Sequence, residues 1–248
     1  MMYLTEADRL SIVKKQFRFK LKSFKGMFTS LIVLQIIGIF LSLNGDGSGG
    51  GSSQFLDYRL NYYNGNIIFA FVMIWAFISA ILITTKAYRF DDYSFVTDRM
   101  TSHLSNVLFL LAASFAAGIT AVLANRVVIL IIYFMQDNVN LTAQTPAFLS
   151  GITGIIAMTL YIFLLASVGY LAGNLVQVSK LFIVVLPAVT IGSVFLETLL
   201  TRNPSLVPDV FSFFGMEESF WLFVLKVLIV SGLSLSAAAG VSMKLEVK

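Results

Sequence analysis

The sequence predicts an all-α integral membrane protein whose six helices cross a bilayer. Three observations lead there. The chain is 58% hydrophobic with a mean hydropathy of +0.87. Only 12% of its residues are charged, about half the share found in soluble domains. Its apolar residues gather into six long stretches, and each meets or approaches the ~20 residues that a helix needs to cross about 30 Å of hydrocarbon. The short alternating strands of a transmembrane barrel are not seen. With little polar sequence between the stretches, residues 27–248 read as one six-span domain preceded by a separate segment, 1–26.

That first segment is not a span. Leu10, Val13, Phe17, Leu21 and Phe24 recur every three or four residues, which is one face of an amphipathic helix. Thr5 and Asp8 have capping-box spacing, and Lys14, Lys15, Arg18, Lys22 and Lys25 supply a basic complement. Such a helix is expected to lie in the plane of the membrane interface, apolar side toward the acyl chains. Lys14, Phe17, Arg18 and Leu21 are its candidate interface residues, in a topology anchor or a surface where a partner docks.

The spans are expected at about 27–43, 67–85, 105–124 or longer, 148–172, 181–200 and 220–241. The first exceeds the apolar core of a signal peptide and no A-x-A-like site follows it, so it reads as a retained span. The third belongs to an apolar stretch, 104–135, that is too long for one straight crossing. Either its part beyond Asn125 and Arg126 continues along the outer face, or the whole helix is strongly tilted. The Gly/Ser run 45–53 reads as a flexible linker. Asn140 opens a glycosylation sequon to which no chemistry is assigned.

Lys/Arg bias sets the orientation. With the N-terminus in the cytoplasm, thirteen Lys/Arg lie inside, while Arg59 and Arg202 alone lie in outer loops. Six spans return the C-terminus to the cytoplasm. The net charge of +4 therefore reflects topology and not nucleic-acid binding. A multi-pass membrane protein with both termini in the cytoplasm is expected.

Several chemistries are excluded. The chain has no Cys, which removes disulfides, thiolate metal sites and thiol catalysis. It has no Gly-Lys dipeptide, so it lacks a P-loop of its own. Its one His, His103, has no metal-binding or catalytic companions in sequence and reads as a helix-start residue at the interface. No catalytic, cofactor or metal site is assigned to this chain, and an integral membrane enzyme finds no acid–base constellation here. Ionisable residues inside spans mark transport paths. The candidates are Arg126, Glu197 and Lys226, placed to snorkel to the outer interface or, for Arg126 and Glu197, to pair there. Small residues recur at 112–118, at Gly169 and Gly173, and at Gly232, Ser236 and Gly240. They permit close helix packing within one subunit or a dimer seam.

Two loops stand out. The inner loop 86–104 mixes aromatics with both charge signs, the composition of a protein contact or of a short interfacial helix. The last outer loop, 201–219, carries Pro204, Pro208 and a Phe-rich stretch too short to span. It suggests a re-entrant or interfacial piece shielded by protein, or a hairpin on the membrane surface.

The interface helix, six spans, structured inner loop and outer helical piece together resemble ABC-2-type transporter permeases, the membrane subunits of ABC exporters. The stretch Phe95-Val96-Thr97-Asp98-Arg99-Met100-Thr101-Ser102-His103-Leu104-Ser105-Asn106-Val107-Leu108-Phe109-Leu110 is similar to permeases of Gram-positive bacteria that work with a separate ATPase. Such permeases include exporters of amphipathic peptides such as the phenol-soluble modulins. The resemblance implies an ABC-2-type exporter fold in which Tyr88, Arg89, Phe90, Asp91, Asp92, Tyr93 and Phe95 couple to the ATPase. It also implies a place in a bacterial cytoplasmic membrane, two copies of a P-loop ATPase that bind ATP and Mg, and a second permease, either an identical copy or a paralogue. The residues leave open a membrane anchor or immunity-type protein and a secondary transporter. The latter would show internal repeats or polar spans.

Overall fold

The computed structural model describes residues 9–45, 47–53, 56–62, 65–88, 98–135, 148–201, 206–217 and 219–244. In chain order its elements are α1 (Arg9–Ser23), α2 (Lys25–Ser42), β1 (Gly47–Ser53), β2 (Leu56–Tyr62), α3 (Asn66–Thr84), α4 (Arg99–Met135), α5 (Phe148–Val178), α6 (Phe182–Thr201), α7 (Leu206–Gly215) and α8 (Phe220–Lys244). Six of the helices, α2, α3, α4, α5, α6 and α8, are long and apolar enough to cross a membrane. They give the chain its multi-pass architecture, because a helix satisfies its own backbone polar groups where no water is present.

The Gly/Ser run expected to be a flexible linker is instead the strand β1, paired antiparallel with β2 from Gly47↔Tyr62 to Ser53↔Leu56. Backbone hydrogen bonds hold such a strand without side-chain packing of its own. The partner sequence, Leu-Asp-Tyr-Arg-Leu-Asn-Tyr, supplies the alternation of a strand. We call this the hairpin end of the bundle, and the opposite end, where α1 and the start of α4 lie, the N-terminal end.

The third apolar stretch is one unbroken helix of 37 residues, about 55 Å long. Asn125 and Arg126 do not interrupt it. Phe109, Ala113, Ala117, Ala121, Ala124, Val128 and Ile132 form a buried stripe along it, so it is the central post of the bundle. Small residues let its neighbours close in. A Cβ on Gly118 would stand 2.3 Å from Thr159 Oγ1 and 3.1 Å from the α5 backbone. At the hairpin end Gly65 opens α3 with φ 63°, and a Cβ there would meet Asn125 Oδ1 at 2.5 Å. Both positions require glycine. Gly169 and Gly173 of α5 press on α3 in the same way, at Phe77 and Thr84. These small residues therefore serve packing inside one subunit. Gly232 and Gly240 of α8 have nothing within 4 Å of an added Cβ.

The N-terminal helix packs on the start of α4. Arg9 pairs with Asp98, Lys20 reaches Ser105 and Asn106, Phe24 meets Phe109, and Gln35 Nε2 donates to Thr120 Oγ1 at 2.8 Å. Through these contacts α1 packs on the start of α4 and α2 packs further along it. The reason is α4 itself, whose surplus length at the N-terminal end gives α1 a helix to pack on.

The expected apolar face of α1 is also turned. The residues buried on α4 are Val13, Gln16, Lys20 and Phe24, while Leu10 is 70% exposed, and Phe17 and Leu21 are half-buried. The buried face is thus rotated by roughly 60° from the hydrophobic one.

Candidate functional site

The turn of α1 carries two polar side chains, Gln16 and Lys20, into the N-terminal end of the bundle. Lys20 is 1% exposed. Its Nζ donates to Ser105 Oγ at 2.7 Å and to Asn106 Oδ1. Burial of an ammonium is expensive unless its protons find acceptors, and the first turns of α4 provide two. Ser105 Oγ in turn donates to the carbonyl of Ser102 at 2.8 Å.

The network continues into α5. Asn106 Nδ2 donates to the Tyr170 hydroxyl oxygen at 3.3 Å, and His103 Nδ1 lies 3.2 Å from the same oxygen. Asn174 Nδ2 donates to the Tyr170 carbonyl at 2.9 Å. One hydrogen-bonded chain thus links α1, α4 and α5 through Lys20, Asn106, Tyr170 and His103. Beside it, Gln16 is fully buried and both atoms of its amide lack a partner.

A second polar contact lies toward the hairpin end. Lys226 of α8 forms an ion pair with Glu217, donates to the Phe213 carbonyl at 3.2 Å, and sits 4.1 Å from the Phe213 ring centroid. The Tyr161 hydroxyl donates to the Phe214 carbonyl at 2.8 Å. Tyr161 lies roughly 20 Å along α5 from its start at Phe148. The Phe-rich helix α7 therefore packs well below the tip of α5, with its last carbonyls satisfied by Tyr161 and Lys226.

Of the sequence-predicted residues, Tyr88 is half-buried, with its ring 4.7 Å from Phe24 and perpendicular to it. Arg89, Phe90, Asp91, Asp92, Tyr93 and Phe95 lie outside the described residues. On α1, Lys14 and Arg18 are exposed and Phe17 and Leu21 half-buried. Arg126 is exposed and Glu197 half-buried, while Lys226 is held by Glu217 and Phe213 where snorkelling was expected. Among the described residues no group of His, Cys, Asp and Glu could hold a metal.

Comparison with known proteins adds no relative. No family profile matches the chain, and no curated protein or solved structure shows significant similarity to it.

Sequence reasoning passed over Lys20, Asn106, Tyr170 and Gln16. A signal was present, since Asn106 and Asn174 are amides inside apolar helices, where each demands a partner. Lys20 was hidden among six cations in α1. His103 was read as an interfacial residue and is a buried member of the network.

Proposed function

We propose that the chain is the transmembrane permease subunit of an ATP-driven exporter that moves an amphipathic or hydrophobic substrate, such as a peptide, out of the cell. In this reading the fold is of the ABC-2 type, and ATP and Mg are bound by two copies of a separate P-loop ATPase. A second permease completes the assembly, and both termini face the cytoplasm.

The observation that carries this reading is the position of Phe24. Its ring stands edge-on to Tyr88 at 4.7 Å and to Phe109 at 5.3 Å. Tyr88 lies four residues beyond the end of α3, in the loop expected to meet the ATPase. Movement of that loop reaches, through one aromatic side chain, both the α1–α2 junction and the central helix. Two further features agree. Glu197 is the single acidic residue in the six spanning helices, so an ion-driven relay has few groups to use and the energy comes from another chain. The spanning window of α6 has no buried residue, which leaves its surface for a second subunit.

The test is purification of the chain from detergent after co-expression with its neighbouring genes, followed by an ATPase assay. Co-purification of a P-loop protein, lost on changing Asp91, Asp92 and Tyr93 together, is the expected result. Tyr88→Ala is expected to keep the partner bound and lower substrate-stimulated ATP hydrolysis. Purification of the chain alone, with no ATPase from its locus, would reject the exporter reading.

A further inference from the structure

Between α1 and α4 runs an open groove of about 520 Å³, within the range of about 300–1,000 Å³ typical of small-molecule sites. Its walls are apolar, with Leu10, Val13 and Phe17 on one side and Leu104 and Leu108 on the other, and among the described residues its one charged lining residue is Lys14. The groove exists because α1 is turned. Rotating Gln16 and Lys20 inward swings the outer part of the hydrophobic stripe away from protein.

Two observations say what fills it. The α4 wall continues without a break toward the middle of the bundle, since Leu104, Leu108, Leu111 and Phe115, spaced by three and four residues, are 40–56% exposed on one face. A hydrocarbon chain in the groove therefore follows α4 into the apolar zone. The charge at the other end has one sign. Residues 9–23 hold six cationic side chains and no acidic one, and the nearby Asp98 is engaged by Arg9.

The geometry points to this groove as the seat of one acyl chain of an anionic phospholipid, with the headgroup phosphate against Lys14. The lipid covers the exposed side of Leu10 and the open edge of the half-buried Phe17, and its negative charge answers the exposed face of α1. The site is independent of the exporter reading, because it concerns how α1 is held against α4.

Native mass spectrometry of the full chain in detergent tests it, with dioleoyl phosphatidylglycerol and dioleoyl phosphatidylcholine as probes. Wild type is expected to retain one phosphatidylglycerol in preference to phosphatidylcholine. Lys14→Gln is expected to weaken phosphatidylglycerol binding about fivefold, the effect of one cation at the membrane surface. Lys22→Gln, which removes the same charge about 12 Å further along α1 and outside the groove lining, should leave it unchanged. Leu104→Trp, which fills the groove, should abolish retention in protein that stays monodisperse. Equal binding of the two lipids, or equal loss in Lys14→Gln and Lys22→Gln, would overturn the proposal, because the attraction would then be diffuse and not seated in the groove. Unchanged retention in Leu104→Trp would overturn it as well. Lys14 and Leu104 are exposed, so neither change threatens the fold.

Discussion

The Nζ of Lys20 lies 2.7 Å from the Oγ of Ser105, although 85 residues separate them in sequence. This contact and its neighbour at Asn106 fix α1 against the central helix in a register that α2 then keeps. Lys20→Met is expected to lower stability by about 1–3 kcal/mol, since Asn106 Oδ1 is left buried without its donor. Adding Asn106→Leu should cost less than the sum of the two single changes. Thermal unfolding in detergent micelles measures this, and strict additivity would show that the pair is not coupled.

Gly169 faces the carbonyl of Phe77, where a Cβ would stand 2.5 Å from the oxygen. Gly169→Ala must push α5 and α3 apart and is expected to cost about 1–3 kcal/mol. Gly232→Ala, with nothing within 4 Å, should be neutral or slightly stabilising, because alanine is the better helix former. Unfolding midpoints of the two variants against wild type decide the point.

Lys226 and Glu217 tie α8 to the end of the Phe-rich helix. Lys226→Met and Glu217→Gln should each reduce stability by about 1–3 kcal/mol. The exchange Lys226→Glu with Glu217→Lys should recover part of the loss. A double-mutant cycle read by thermal unfolding tests this, and zero coupling energy would mean that the ion pair contributes nothing.

Orientation can be read directly, because the chain has no Cys. Single-cysteine variants Asp98→Cys at the N-terminal end and Asn44→Cys at the hairpin end occupy exposed positions. In intact cells an impermeant maleimide is expected to label Asn44→Cys and spare Asp98→Cys. The reverse pattern would invert the topology drawn from the Lys/Arg bias.

The helices were legible because their signal is local. Each span is an apolar run of bilayer length, and the expected 67–85 and 181–200 fall within one residue of α3 and α6. The central helix was legible as apolar and not as continuous. Asn125 and Arg126 look like an end, yet Asn125 packs beneath Gly65 while Arg126 points outward. The Gly/Ser strand was misread because composition describes its own preference and not that of the segment it pairs with. Of the candidate site, Lys20, Asn106 and Tyr170 were not legible, since their meaning lies in contacts between residues far apart in sequence.

The sequence by itself determined that this chain has six stretches long and apolar enough to cross a bilayer, that it holds no P-loop motif and no cysteine, and that its basic residues cluster in the N-terminal segment and between the second and third stretches. Each of these follows from residue type and spacing along one segment, which solvent or lipid reads without reference to the rest of the chain. Tertiary structure alone decided which side of each helix is inside. A hydrophobic stripe ranks faces by their affinity for lipid, and lipid is nearly as good a solvent for leucine as another helix is. Small residues and polar partners therefore choose the packed face. That is why α1 turns Gln16 and Lys20 inward and leaves Leu10 and Phe17 beside an open groove.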